Sequence, residues 1–204
     1  MIVCISGASG LIGTALTSEL RHRGATVRCL VRGTPNGEDE FEWLPSEDRL
    51  DQRAIEGVDA VVHLAGESIA GLYWSTSKKQ RILESRVRST HLLATALANA
   101  KQKPKVFLSA SAVGYYGSRD AEEVNETSTS GDNFLAEVCR QWEAAAAPAR
   151  AAGIRVVHPR TGIVLTKKGG ALKQMLLPFR LGLGGRLGSG AQYVSWITLD
   201  DEVA

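Results

Sequence analysis

Ile2-Val3-Cys4-Ile5-Ser6-Gly7-Ala8-Ser9-Gly10-Leu11-Ile12-Gly13 decides how this chain is read. The opening apolar run, rich in β-branched residues, predicts a buried parallel strand. A G-x-x-G-x-x-G spacing follows it directly. Residues 10–23 then carry helical periodicity, with Ile12, Leu16 and Leu20 on one stripe. Arg21 and Arg23 suit the negative C-terminal dipole, and Gly24 is a stop. Thr26 to Val31 reads as a second strand. Strand, glycines, helix and strand within about 30 residues is the context in which such glycines bind a dinucleotide rather than merely turn the chain. Gly7 permits the tight turn, Gly10 lets backbone approach a pyrophosphate, and Gly13 lets helix pack on strand. Ser9, Leu11 and Ile12 complete the turn and the helix N-terminus, whose unpaired N–H groups and positive dipole end favour phosphate.

Outward from this turn, strands and helices keep alternating. Asp59 to Leu64 is an apolar strand. Residues 77–100 form a long helix, with Leu83, Val87, Thr90, Ala94 and Leu97 on one core stripe. Lys105 to Ser109 is a strand, 112–131 a polar loop, and 132–147 a helix that Pro148 kinks or ends. Ile154 to Val157 is a further strand. Residues 33–50 are polar with Gly, Pro and Asn, and read as loop. The pattern predicts an α/β fold, a doubly wound parallel sheet (Rossmann-type) with a partial C-terminal substrate lobe. The boundaries are 1–165 for the cofactor domain and 166–204 for the lobe. Glycines punctuate the lobe, and 182–190 is either a pocket loop or a connector. The chain ends on Trp196 to Ala204, which reads as a strand and the first turn of a helix. The expectation is a truncated or incompletely ordered lobe.

Composition excludes several classes. The chain has 204 residues, 44% hydrophobic and 23% charged, so disordered and collagen-like classes are out. A net charge of +2 gives no argument for nucleic acid or a membrane surface. No apolar run approaches the roughly 18–20 residues of a membrane span, and the N-terminus lacks signal-peptide features. Cys4, Cys29 and Cys139 have no metal-like spacing; the expectation is buried thiols, no metal and a cytoplasmic location. His63 reads as a core residue held by backbone rather than a base. Lys78, Lys79, Arg81 and Arg88 read as a solvated helix face. Trp74, Trp142 and Trp196 read as packing residues, Trp196 with the option of walling a pocket. Arg160, Arg180 and Arg186 are candidates to meet an anionic substrate.

The end of the second strand selects the cofactor. NAD-binding chains place an acid there, about 20 residues past the glycines, for the ribose 2′-hydroxyl. This chain has Val31-Arg32-Gly33. Arg32 suits a 2′-phosphate by charge and bidentate geometry, which favours NADP, unless it is simply a solvated arginine.

The glycine spacing now joins His63-Leu64-Ala65-Gly66, Ser109-Ala110-Ser111 and Tyr115-Tyr116-Gly117. Together they resemble the short-chain dehydrogenase/reductase superfamily, in its extended, epimerase-like and atypical branch. Gly66-Glu67-Ser68-Ile69, Ser85-Arg86, Pro159-Arg160-Thr161-Gly162, Leu177-Pro178-Phe179-Arg180 and Ser195-Trp196-Ile197 look like one NADP-binding epimerase-family group within it. The resemblance implies that Leu64, Ala65 and Gly66 line the adenine-ribose side of the cofactor. It implies Arg86 where relatives use an Asn to touch the cofactor, and Ser109 and Ala110 near the nicotinamide. Pro159, Arg160 and Thr161 stand where relatives contact the nicotinamide half and open the substrate lobe. Ser111 resembles the catalytic Ser or Thr that hydrogen-bonds a substrate carbonyl or hydroxyl. Relatives often pair through two long helices, here 77–100 and 132–147, so a homodimer is expected.

One departure is large. Catalytic members carry Tyr-x-x-x-Lys, in which the ammonium lowers the phenol pKa so that it can act as acid or base. Here the segment is Asn133-Phe134-Leu135-Ala136-Glu137-Val138-Cys139, with Phe134 and Val138 at the two positions. Tyr115 and Arg119, also four apart, are a substitute pair if loop geometry allows it. Two functions remain: an NADP(H)-dependent oxidoreductase or epimerase acting on a carbonyl or sugar-nucleotide-type small molecule, with Tyr115, Tyr116 or water as proton donor, or a non-catalytic NADP(H)-binding sensor or interaction module.

Overall fold

A computed structural model describes residues 1–204 except Leu72 and Leu187. The chain runs β1 (Ile2–Ser6), α1 (Leu11–His22), β2 (Thr26–Val31), β3 (Glu40–Leu44), β4 (Arg49–Leu50), β5 (Ala60–His63), α2 (Thr76–Asn99), β6 (Val106–Ser109) and β7 (Ser111–Ala112). It continues with α3 (Phe134–Ala144), α4 (Ala147–Ala151), β8 (Arg155–Val157), β9 (Arg160–Thr161), β10 (Ile163–Leu165), α5 (Gly170–Arg180), β11 (Trp196–Thr198) and α6 (Leu199–Val203).

Seven strands form one sheet in the order β4-β3-β2-β1-β5-β6-β8. All neighbours pair parallel except β3 with β4. The chain starts in the middle, steps outward through β2 to β4, then returns to the other side of β1. The direction of winding therefore reverses between β1 and β5, the crevice where open α/β sheets bind ligands. The sheet is covered on both faces. Cys4, Leu30, Trp43, Val61 and Phe107 pack with Leu93, Ala94 and Leu97 of α2 and Ala149 of α4. Val3, Ile5, Val27, Cys29 and Val62 pack on the opposite face with Leu16 and Leu20 of α1. Two short parallel pairs, β7 with β9 and β10 with β11, carry the chain beyond the main sheet, and α6 returns to pack on α1.

Several sequence expectations are corrected. Residues 33–50 are not all loop: β3 pairs with β2 through Cys29–Glu40, Leu30–Phe41 and Val31–Glu42, and β4 follows. Phe41 and Trp43 alternate inward, and Trp43 is 1% exposed. Turn residues ahead of the strand and acids on its outer face hide that alternation. The predicted 132–147 helix ends earlier, at Ala144, and Pro148 does not end it but lies in the first turn of the separate α4, where its missing N–H costs nothing. The stripe of α2 is rotated: Ile82, Ser89, Thr90, Leu93, Ala94, Ala96 and Leu97 are buried, while Leu83 and Val87 are only half-buried. Thr90, Ala94 and Leu97 are buried as expected, and the polar Ser89 joins them by turning inward to meet His63. All three cysteines are buried free thiols.

In the C-terminal segment, α5 buries none of its residues. Leu177, Phe179, Leu181 and Trp196 are each about 60% exposed. Among the described residues no helix is long and apolar enough to cross a membrane, and no cluster of metal-ligating side chains occurs.

Candidate functional site

The glycine turn sits at the reversal between β1 and β5. Gly7 has φ +75°, and a Cβ there would stand 2.8 Å from the Ala65 nitrogen, so the turn lies directly against residues 64–66. A Cβ on Gly13 would stand 2.1 Å from the Gly7 carbonyl oxygen. Gly13 therefore lets α1 close onto the turn itself, a tighter contact than the helix-on-strand packing its spacing implies. Gly10 is the N-cap of α1 and offers no side-chain cap, and the first turn holds no acid. By contrast, Ser75, Asn133 and Thr198 cap α2, α3 and α6 with side-chain oxygens. The donors that open α1 are thus left for a ligand, and their geometry fits a pyrophosphate.

A cleft of about 1090 Å³ opens over this turn. It is lined by Gly7, Ala8, Ser9 and Gly10, by Arg32, and by Leu64, Ala65 and Gly66. Arg32 is exposed at the end of β2, and among the described residues no acid forms an ion pair with it. Asp39, the acid on this wall nearest in sequence, pairs with Arg21. Cleft residues to which the sequence assigns no site role include Trp43, Glu67 and Ser85. The cations on α2 form partnerships rather than a merely solvated face. Lys78 reaches Glu67 at 2.6 Å and holds its carboxyl below the ordinary range, Arg88 pairs with Asp48 at 2.8 Å, and Lys79 lies over the Phe134 ring.

Arg86 is turned beneath the 66–67 segment. Its Nη1 donates to the carbonyls of Glu67 at 2.9 Å and Ile82 at 3.1 Å, and its guanidinium lies 5.0 Å from the Trp142 ring. It supports the cleft wall from below, while Ser85 stands in the wall itself. His63 is fully buried, and its partners are side chains rather than backbone: Ser6 Oγ at 2.5 Å and Ser89 Oγ at 3.1 Å. Burial, with a smaller push from Arg86, brings its pKa down to about 3. It is a neutral core residue that locks β1, β5 and α2 together.

A second cluster lies beyond the β6 end of the sheet. Ser111 Oγ donates to Glu143 Oε1 at 2.6 Å. Arg160 grips the same carboxylate through Nε at 2.9 Å and Nη2 at 3.0 Å. Its Nη1 donates to the Tyr116 hydroxyl at 2.9 Å, and its guanidinium stacks 3.4 Å from the Tyr115 ring centroid. The substitute pair Tyr115–Arg119 does not form. Arg119 is drawn to the Tyr116 and Thr129 carbonyls, and the guanidinium over Tyr115 is that of Arg160. Burial raises the Glu143 carboxyl, but the Arg160 and Ser111 hydrogen bonds outweigh it and the net shift is downward. Phe134 packs against Trp74, and Val138 is buried, so nothing at those positions transfers a proton.

Pro159, Arg160 and Thr161 line a smaller hollow of about 320 Å³ with the exposed Trp196 and with Glu202, which accepts from Thr161 at 2.8 Å. Ser109 is buried, its hydroxyl without a protein partner, and Ala110 donates its N–H to the His63 carbonyl. Leu11, Ile12, Gly13, Arg86, Ser109, Ala110 and Ser111 are not cleft-lining residues. Neither hollow is lined by residues 182–190, of which Leu187 lies outside the described residues. Glu143 is the residue that sequence reading missed. Its signal was an acid at helical spacing from Ala136 and Cys139, on the buried stripe of α3.

Comparison with known proteins agrees with this geometry. Epimerase family protein Mb2239 of Mycobacterium bovis is 46% identical over 202 residues, covering 99% of this chain and 66% of its own length. Human epimerase family protein SDR39U1 is 41% identical over 206 residues, covering 98% and 67%. This chain thus spans about two thirds of the length of the curated relatives it matches. Among solved structures, a nucleoside-diphosphate sugar epimerase from Corynebacterium glutamicum superposes with TM-score 0.88 at 43% identity, over 100% of this chain and 42% of its own. Human SDR39U1 (isoform 2) with NADPH superposes with TM-score 0.86 at 38% identity, over 98% and 67%. The family model for the NAD dependent epimerase/dehydratase family matches residues 3–162, from the first strand through the Arg160 segment, and the chain belongs to that family.

Proposed function

We propose that the cleft binds NADP(H) and that the chain is the cofactor-binding part of an oxidoreductase or epimerase acting on a carbonyl or sugar-nucleotide-type substrate. The observation that carries the reading is the uncapped glycine turn opening into the cleft with Arg32 on its wall. Gly7, Ser9, Gly10, Leu11, Ile12 and Gly13 would hold the pyrophosphate by backbone, and Arg32 the 2′-phosphate. Leu64, Ala65 and Gly66 would face the adenine-ribose half, with Arg86 holding that segment from beneath. Ser109, Ala110, Pro159, Arg160 and Thr161 would border the nicotinamide half, and Ser111 would meet the substrate oxygen. The bound cofactor supplies hydride chemistry; the protein orients it and handles the proton. The relative solved with NADPH supports the choice of NADP. Residues 1–165 form the cofactor domain in this reading, 166–204 begin the substrate lobe, and the protein works in the cytoplasm as a homodimer.

NADPH fluorescence on titration tests the reading. NADP(H) should bind at least about tenfold more tightly than NAD(H), and Arg32→Ala should erase that preference. Equal affinity of the wild type for both overturns the role of Arg32. The second reading, an NADP(H) sensor without turnover, is favoured by Phe134 and Val138 where catalytic relatives carry Tyr and Lys. A screen of carbonyl compounds and matching alcohols separates them: turnover abolished by Ser111→Ala supports the enzyme, and silence throughout supports the sensor.

A further inference from the structure

Ser111 has one proton to give, and the structure shows where it goes. Its hydroxyl donates to Glu143 Oε1 at 2.6 Å, and Arg160 donates to the same oxygen through Nε and to Oε2 through Nη2. The side chains of Arg160 and Glu143 are 17% and 15% exposed. The groups facing Glu143 are Ser111 from β7, Arg160 from β9, His158 after β8 and Cys139 one turn back on α3, with Tyr116 reached through Arg160. Burial lowers the His158 imidazole pKa and raises the Cys139 thiol pKa, so both are neutral near pH 7. Among the described residues Arg160 is then the one cation paired with the carboxylate. With its proton held by that ionised group, Ser111, itself buried, has only lone pairs left to offer, and the Cys139 thiol lies beside them. It can accept a hydrogen bond from a hydroxyl. To donate one to a carbonyl it would have to give up a charge-assisted bond.

We infer that Glu143 is a positioning residue that fixes Ser111 as a hydrogen-bond acceptor, so that the site takes the carbinol form of its substrate and draws its proton through Ser111 to Glu143. This rests on the hydride-transfer reading above. The carbinol C–H bond breaks and its hydrogen leaves with both electrons to an oxidised nicotinamide dinucleotide, the co-reactant. The O–H proton passes to Ser111 Oγ as the proton of Ser111 moves to Glu143 Oε1, and a C=O bond forms. The carbinol loses two electrons, the dinucleotide gains them, and one proton rests on Glu143. The Ser111–Glu143 pair thereby takes the place of the Tyr and Lys that Phe134 and Val138 replace.

The test combines a spectroscopic and a kinetic readout on the whole chain. The carboxyl of Glu143, followed by carbon-13 NMR, should titrate below the ordinary glutamate value of 4.5. Its midpoint should rise by about half a unit or more in Ser111→Ala, which removes one hydrogen bond to the charged form. NADP reduction is then followed against pH with a fixed panel of secondary alcohols and UDP-sugars. The rate should fall on the acid side through the Glu143 midpoint. Glu143→Gln should lose about 100-fold or more of it, together with that acid limb, while binding NADPH within about twofold of wild type. Glu137→Gln, on the outer face of α3, should change neither. Should Glu143→Gln fail to fold, Glu143→Asp carries the same test, with a rate lowered about tenfold and an acid limb moved upward. An unmoved Glu143 titration in Ser111→Ala, or an acid limb that survives Glu143→Gln, overturns this inference and leaves the hydride-transfer reading standing. A shifted Glu143 titration with no turnover anywhere in the panel overturns that reading, and this inference with it.

Discussion

Two corners of the same sheet treat their polar groups in opposite ways. At the β1 end, the turn from Gly7 to Gly13 is held by backbone against backbone, and the helix it opens has no side-chain cap. The donors of its first turn meet no side-chain acceptor, and the turn ahead of them lines the cleft. Beyond the β6 end, Ser111, Glu143, Arg160 and Tyr116 spend their hydrogen bonds on one another. The first corner is shaped to receive a ligand's charge; the second brings its own charges and orients a single hydroxyl. The first therefore tolerates almost no added atom, whereas the role proposed for the second depends on charge and proton position.

The sharpest way to break this comparison is Gly13→Ala. The added methyl would lie 2.1 Å from a backbone oxygen, a clash no rotamer relieves. The expected loss is about 3 kcal/mol, at the upper end for overpacking, with the urea midpoint as readout and NADPH binding lost alongside. Glu143→Ala follows, because it leaves the Arg160 charge largely shielded and unpaired. A loss on the order of 2–3 kcal/mol is expected, and Glu143→Gln should cost less. The pH sign follows from the depressed carboxyl. The stabilisation is present above its unfolded value and is lost as pH falls through the folded midpoint, so wild type and Glu143→Gln should converge in stability in acid. Next in size is Arg32→Ala. It should leave the urea midpoint unchanged and cost NADP about tenfold in affinity, or about 1.4 kcal/mol, with NAD unaffected. A further check belongs to His63. With its pKa near 3, its ring resonances should not move between pH 8 and pH 5. The unfolded imidazole does take up a proton in that range, so stability should decline as pH drops below about 6.5.

Legibility in the sequence tracked how local each feature is. The glycine turn, the alternation of elements and the absence of the Tyr/Lys pair all rest on residues within a turn or two of each other. β3 was missed because its alternation is masked by acids on the outer face and by turn residues just ahead of it. The role of His63 was half seen. Its burial follows from its place in an apolar run, but its partners Ser6 and Ser89 come from elements 57 and 26 residues away. Arg86 was expected at the cofactor; only the packing of α2 on the 64–67 segment and on Trp142 shows it turned beneath.

By itself, then, the sequence determined the cofactor turn and the sheet it opens. Glycine spacing and apolar periodicity are constraints written into neighbouring residues. Only the tertiary structure decided that Ser111, Glu143 and Arg160 meet. Ser111, Glu143 and Arg160 lie 32 and 17 residues apart along the chain, and they meet because β7 pairs with β9 while α3 packs against β7. Charge pairing at that distance leaves no periodicity to read. It exists only once the sheet has set the two short strands side by side.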